Sequence, residues 1–548
     1  METTLISLGL LAALSPKIYR RIQLSRAKHR SLAGHSRIAK FLARLLPGYA
    51  LGEELFFIAD GAPDDVAEKR KNGFNSLART LQKHKKTLSL TTEAKEHLSD
   101  LQFTSVYRIP FAFSPYAREH LKVGSVAKSF DGVILTDLDD CQFYDLTGSY
   151  GVNLFGSDFY KRTMRIGLEE GVPLGPALGV YHPHVASNAS RLCKISGMDE
   201  VSFHMSGTEA VMQAVRLARY HTRRTHLVRF CGAYHGWWED VQPGPGNPQP
   251  PHETYTLADM SERSLQVLRS RKNIACVLVN PLQAIHPNRN APGDSTLLDG
   301  SRKAQYDRTS YTSWLKQLRE VCTEKGIALI FDEVFLGFRL APGGAQEYFG
   351  IQADLVTYGK TLGGGYPVGV VCGKHHWMKR WKENRPADIC FARGTFNAHP
   401  VVLSAMKAFL DEIEKPEIQA LYEGLDERWN QRCEKFNHTM RNFDFPIQAT
   451  NMSSVWTISY TQPGRYHWLL QFYLRAEGLA LSWVGTGRLI FSLNYGETEF
   501  QAVLDRFVSA AKKMSEDGWW WQNPKLTHRS IRLQILRETL GWPEKTSD

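Results

Sequence analysis

The sequence predicts an α/β protein with a buried, mostly parallel sheet flanked by helices, and two short stretches carry that prediction. An apolar run at 327–331 stops at Asp332 and Glu333, and a second at 353–358 stops at Gly359, Lys360 and Thr361. Short apolar runs closed by polar or glycine residues read as strands buried on both faces. Two such strands deliver a carboxylate and an amine to one sheet edge, where open α/β folds bind their ligands.

The remaining elements follow in chain order. At 548 residues the chain exceeds what one hydrophobic core serves, so two or more domains are expected. Residues 5–14 are apolar but about half of the ~20 residues a membrane-spanning helix needs, and no positive segment precedes them, so export is not expected. Lys17, Arg20, Arg21, Arg26, Lys28 and Arg30 follow. Next, Ile38, Phe41, Leu42, Leu45 and Leu46 recur at helical spacing among Arg37, Lys40 and Arg44, which predicts a basic amphipathic helix. Such a helix either docks on the catalytic domain or lies on a membrane surface. A charged segment at 64–86 leads out of this region.

Strands are expected at 133–138 and 143–146 around the acidic turn Asp139–Asp140, and a glycine- and aromatic-rich loop at 147–156. A strand at 200–205 runs into Ser206-Gly207-Thr208-Glu209 and a helix that turns Val211, Val215, Leu217 and Ala218 inward. Strand, small polar loop and helix start make an anion site, because helix N-termini present N–H groups and a positive dipole end. A strand at 227–230 then delivers Tyr234 and His235 between glycines, an aromatic face on which a flat ring can stack. A further strand, 275–279, ends at Asn280. A polar loop at 287–311 precedes a helix at 311–325, and after Lys360 come a strand at 369–373, the stretch around Thr395 and a helix at 401–413. Trp519, Trp520 and Trp521 in the tail suit a membrane interface or a domain contact.

Each motif alone has an ordinary explanation. A lysine after a strand is most often a solvated charge, and Ser or Thr before a helix most often caps it. In this order, however, FDEV, YGKTLGGG, the SGTEA loop and GAYHGW resemble a class III, fold-type I pyridoxal-phosphate aminotransferase. YDLTGSYGVNLFG, GGAQEYFG and ARGTFNAHP resemble the glutamate-1-semialdehyde aminomutase branch, and especially aminotransferase domains of polyketide and nonribosomal peptide synthases.

The resemblance implies a fold-type I architecture with a smaller α+β domain built from both chain ends and a helical N-terminal extension. The expected division is 1–95 extension, 96–165 first part of the small domain, 166–400 cofactor domain, 401–515 second part of the small domain and 516–548 tail. The implied cofactor is pyridoxal 5'-phosphate, which needs a lysine for its aldehyde and an anion beside its ring nitrogen. Lys360 is the implied catalytic residue. Ser206, Gly207, Thr208, Tyr234, His235, Asp332, Val334 and Thr395 join it in binding the cofactor, Tyr234 stacking on one face of the ring and Val334 packing on the other. Thr395 is implied to reach the cofactor phosphate of a second subunit, hence a homodimer. Asn280 stands where the family carries glutamate, which leaves the substrate open.

The expected activity is amino transfer from an amino-acid donor to a ketone or aldehyde, a carrier-bound β-ketoacyl group or fatty aldehyde of secondary metabolism among the acceptors. The alternatives are an intramolecular aminomutase and a noncatalytic cofactor-binding scaffold. Eight scattered cysteines without a CxxC pair fit core thiols of a reducing cytoplasm, and no metal site is expected. The net charge of +11 suits an acidic partner. With no nucleic-acid motif present, an acyl carrier protein and anionic lipid at the inner face of a membrane are the expected acidic partners, and nucleic acid is not.

Overall fold

The computed structural model describes residues 2–28, 41–42, 44–101, 109–242, 246, 253–286, 299–481 and 487–541. The chain divides into two compact units. The first is Met1–Ala43, Thr163–Ala291 and Asp307–Gln419; the second is Arg44–Arg162, Pro292–Tyr306 and Ala420–Asp548. The boundary at Arg44 falls inside the stretch read as one extension, 1–95, and residues 44–95 fold with the second unit.

The first unit is built on a seven-stranded sheet. Its strands are β1 (Glu200–His204), β2 (His226–Phe230), β3 (Thr254–Leu257), β4 (Ile274–Val279), β5 (Ala328–Asp332), β6 (Leu355–Gly359) and β7 (Gly369–Gly373), in the order β1-β7-β6-β5-β4-β2-β3. Pairings from β6 through β5, β4 and β2 to β3 are parallel, and β7 runs antiparallel to both β1 and β6. The short connection from β6 to β7 explains that reversal, because a parallel crossover needs a dozen or more residues. Every residue of β4 to β7 is buried, as expected of strands covered on both faces.

Six helices of this unit matter for function: α1 (Glu2–Ala27), α2 (Gly207–Thr222), α3 (Glu262–Ser270), α4 (Arg308–Lys325), α5 (Gly344–Phe349) and α6 (Pro400–Ile413). α2 packs Ala210, Val211, Ala214, Val215, Leu217 and Ala218 into the core against Leu278, Ile330, Leu355 and Val371 of the sheet. α4 starts at Arg308, ahead of the expected 311, because the Asp307 carboxylate accepts from Ser310 N at 3.1 Å and caps it.

The second unit joins both chain ends. A small sheet pairs Ser129–Asp131, Ile134–Thr136 and Gln142–Asp145 with Leu479–Ala480, and another joins Ile447–Met452, Val455–Tyr460 and Arg488–Ile490. The segment read only as charged contains a helix, Asp64–Leu81, which buries Val66, Phe74, Leu77 and Leu81. Within that helix Arg70 is fully buried and holds Asp60 through two nitrogens, each at 2.7 Å. Trp519 answers the question posed by the tryptophan tail: it lies in the core of this unit, with its indole N–H donating to the Tyr473 hydroxyl at 2.8 Å. The loop at 287–298, all of 243–252 but Gly246, and half of the predicted helix at 37–46 (37–40 and 43) lie outside the described residues. Phe41, Leu42, Leu45 and Leu46 of that stretch are described, and all are exposed.

Candidate active site

Register places the candidate residues along one edge of the sheet. β1 ends beside the start of β7, and β7 starts beside the end of β6, through the pairs Gly369–His204 and Gly369–Gly359. Thr357 of β6 pairs with Asp332 at the end of β5, and Phe331 pairs with Val279 at the end of β4. Ser206, Asn280, Asp332 and Lys360 therefore follow strand ends that open on the same side.

At the centre is a buried pair. His235 Nδ1 lies 2.7 Å from Asp332 Oδ2, with both side chains almost fully enclosed. The other carboxylate oxygen accepts from Val334 N at 3.1 Å and from the Thr357 hydroxyl at 3.4 Å. Burial pulls His235 below the ordinary histidine range, against the hydrogen bond and charge of Asp332 that favour its cation. A neutral imidazole bonded through Nδ1 to a carboxylate carries its proton on Nδ1, so the histidine donates. Its Nε2 is buried without a hydrogen-bond partner.

Lys360 begins the turn after β6 with φ +49°, a left-handed backbone that side chains other than glycine rarely take. It is half-buried, and its amine sits 4.8 Å from the centre of the Phe335 ring. Such strain, of about 1–2 kcal/mol, persists where surroundings impose it and marks functional positions.

The loop before α2 is held close to these groups. A Cβ on Gly207 would lie 2.6 Å from Val334 Cγ1, and one on Gly236, itself at φ +91°, would lie 2.5 Å from the Thr208 hydroxyl. Glycine at these two positions lets the loop approach. The Ser206 hydroxyl accepts from Glu209 N at 3.2 Å and caps α2. The first N–H groups of the helix, at Gly207 and Thr208, have no intrahelical acceptor, the arrangement that suits an anion.

Tyr234 stays 65% exposed, so its ring is open to a flat partner. Partial desolvation by the surrounding protein, followed by the charge of Asp332, raises its phenol above the ordinary value. Asn280 is buried and accepts from Leu282 N at 3.1 Å, while its amide reaches the Tyr234 carbonyl at 3.4 Å. A glutamate there has no hydrogen to donate to that carbonyl. Thr395 is exposed on the stretch between β7 and α6. The sequence reading missed Phe335 and Thr357; the first follows FDEV directly, and the second becomes visible only through β5–β6 register.

Glu333, which had no assigned role, braces α5: its carboxylate accepts from Ala345 N at 2.6 Å and Gln346 N at 3.1 Å. Burial nonetheless pushes this carboxyl up to about 8 from an ordinary 4.5. The unfolded chain loses that proton near the ordinary value and the folded chain near 8, so the folded state binds more protons in between. Stability therefore falls as pH rises across that window. Glu333→Gln should flatten the decline in melting temperature between about pH 5 and 8; parallel wild-type and variant profiles would show that Glu333 ionises normally.

A buried carboxylate–histidine pair, a strained lysine and a helix start thus gather at one edge of this sheet. Residues 115–239 and 307–504 match the family described as aminotransferase class-III. The chain belongs to that family. Among its curated relatives, a glutamate-1-semialdehyde 2,1-aminomutase of Hydrogenobaculum sp. (strain Y04AAS1) is 31% identical over 347 residues, 60% of this chain and 76% of the relative. One from Geotalea daltonii is 28% identical over 433 residues, 73% of this chain and 93% of the relative. Solved structures with the same fold include a β-phenylalanine aminotransferase from Variovorax paradoxus, at 22% identity, TM-score 0.64 and coverage of 81% of this chain and 98% of that one. A glutamate-1-semialdehyde aminomutase from Pseudomonas aeruginosa PAO1 superimposes with TM-score 0.64 at 16% identity, over 82% of this chain and 99% of that one.

The residues fit the family's cofactor. The cradle at Gly207 and Gly236, the buried acceptor set of Asp332, the open Tyr234 ring and the Lys360 amine supply the contacts that a phosphate, a ring nitrogen, a flat ring and an aldehyde need.

Proposed function

We propose that the protein transfers an amino group from an amino-acid donor to a ketone or aldehyde acceptor, with a carrier-bound β-ketoacyl group or a fatty aldehyde of secondary metabolism as the acceptor class. The observation that carries this reading is the buried His235–Asp332 pair at the sheet edge that also bears Lys360. Bound pyridoxal phosphate supplies an aldehyde and an electron-withdrawing ring. Asp332 would keep the ring nitrogen protonated, and His235 fixes the carboxylate by donating to Oδ2. Gly207 and Thr208 N–H groups would hold its phosphate, and Val334 and Tyr234 would pack against its ring. Lys360 Nζ would hold the cofactor's aldehyde and, when free, would be placed to move a proton at the substrate carbon.

The names of the relatives favour a second reading, an intramolecular aminomutase. A strained Lys360 beside a complete acceptor set argues against a noncatalytic scaffold. Incubating holoenzyme with a nitrogen-15-labelled amino donor and a carbonyl acceptor separates the readings: label in the acceptor's product supports transfer, and turnover of an amino aldehyde without label exchange supports the mutase. Loss of both reactions would overturn each.

Thr395 reaches the phosphate site of a second copy in this reading. Met205, Phe391 and Phe396, all large and exposed, give that copy an apolar surface to cover. Cofactor retention is then expected to fall on dilution to monomer, by mass action. A monomer holding cofactor as tightly as the dimer would contradict the shared site.

A further inference from the structure

A turn in the second unit gathers three metal-ligating side chains that the cofactor site does not use. His84 stands directly before the helix Lys85–His97, and Asp137 and Cys141 lie in the turn between the strands Ile134–Thr136 and Gln142–Asp145. A ring nitrogen of His84, a carboxylate oxygen of Asp137 and the Cys141 sulfur all lie within 4.8 Å of one another. A tetrahedral zinc ion, with bonds of about 2.0–2.3 Å, sets its ligand atoms about 3.3–3.7 Å apart. The closest pair, His84 Nδ1 and Asp137 Oδ2, is hydrogen-bonded at 2.6 Å, so a proton fills the place that a cation would take. Exchanging that proton for zinc changes each separation by about 1 Å.

Other bonds fix the frame around these side chains. Lys86 N and Thr87 N donate to the two oxygens of Asp139 at 3.0 and 2.9 Å, and Leu138 N donates to the Thr87 hydroxyl at 3.1 Å, so the helix start and the turn are already joined. Asp137 Oδ1 accepts from Asp139 N and Cys141 N, each at 2.9 Å, which leaves Oδ2 directed at the histidine. The His84 ring lies against Phe143, with ring centres 5.5 Å apart. The Cys141 thiol is engaged by a long contact, 3.8 Å, to the Asp139 carbonyl. A thiol is a weak donor, so this bond costs little to give up.

The local charge favours a cation. Asp137, Asp139 and Asp140 crowd one turn; Lys128 pairs with Asp140 at 2.7 Å, and among the described residues no lysine or arginine pairs with the other two. Asp137 is buried, whereas His84 and Cys141 are half-buried, so an ion can reach the group from solvent and meet a sheltered carboxylate. Thiolate, imidazole and one carboxylate suit zinc, and not the all-oxygen shells that calcium and magnesium take.

We propose that His84, Asp137 and Cys141 form a zinc site, with water as the fourth ligand, that pins the helix Lys85–His97 to the strand turn of the second unit. Spacing hides it, because the histidine comes from 53 residues upstream of Asp137. The inference is independent of the reaction at Lys360.

The test uses cobalt(II), a spectroscopic stand-in for zinc, added to full-length holoenzyme cleared of metal by a chelator, with spectra read as differences from the cobalt-free holoenzyme. The expected result is a sulfur-to-cobalt charge-transfer band that saturates at one ion per chain, disappears when zinc is added, and is absent from Cys141→Ser. Affinity in His84→Gln and Asp137→Asn should fall by at least the roughly 10–100-fold that loss of an outer-shell partner costs. Zinc should also raise the melting temperature of wild type, by mass action, and not that of Cys141→Ser. Cofactor absorbance equal to that of wild type confirms the fold of each variant. Wild type without the charge-transfer band overturns the site. So does a band that persists in Cys141→Ser, which would assign the ion to another of the eight cysteines, and so does undiminished affinity in His84→Gln.

Discussion

Replacing Lys360 by alanine is expected to lower turnover by roughly 10³-fold or more, since general acid–base catalysis alone contributes about 10²–10⁴ and the same amine binds the aldehyde. The fold should survive, because β6 and the turn after it are held by backbone pairing with β5 and β7 and not by the lysine side chain. The left-handed backbone at this position adds a second expectation. Alanine inherits the strain at φ +49°, whereas glycine does not. Lys360→Gly should therefore melt at a higher temperature than Lys360→Ala, by an amount equivalent to about 1 kcal/mol, while being equally inactive. Activity near wild type in either variant would remove Lys360 from the mechanism. Equal melting of the two would show that the backbone relaxes once the amine is gone.

That strain is one of the features the sequence could not display. Lys360 and Asp332 were legible because each directly follows a short apolar run, and burial of whole strands is written in composition. The His235–Asp332 bond was not, since it joins the loop after β2 to the last residue of β5, which only the sheet order brings together. Direction of β7 was readable in principle from the short connection after Gly359, but strand pattern alone carries no direction. Ser206 carries a duty that the strand–loop–helix pattern does not separate from anion binding: its hydroxyl oxygen accepts from Glu209 N and caps the helix, while its O–H remains a donor. In the N-terminal region, Val66, Phe74, Leu77 and Leu81 recur at helical spacing, and the charges between them masked that pattern. Buried Arg70 makes the same point, because a fully enclosed arginine is unreadable without its partner Asp60.

Asp332→Asn is expected to damage the site in two separable ways. The carboxylate accepts on both oxygens, from His235 Nδ1 on one and from Val334 N and the Thr357 hydroxyl on the other. Asparagine has one acceptor oxygen. If that oxygen faces Val334, the amide N–H₂ meets the histidine N–H; if it faces His235, the N–H₂ meets a backbone N–H. Shifting the histidine proton to Nε2 relieves the first clash only by placing a donor on an atom that is buried without a partner. Each arrangement leaves a buried donor unsatisfied, at a cost of about 1–3 kcal/mol. That cost should appear as a lower melting temperature in protein stripped of cofactor, where no catalytic role can contribute. The catalytic loss is separate: without an anion at the ring nitrogen, turnover should fall by roughly 10²–10³-fold, the range seen when one preorganised electrostatic contact is removed. His235→Phe supplies the control. It keeps the carboxylate but removes its fixed donor, so its rate should lie between those of wild type and Asp332→Asn. An Asp332→Asn enzyme that melts like wild type when stripped of cofactor would show that the two-sided acceptor is absent in solution, and one that turns over normally would place the ring nitrogen elsewhere.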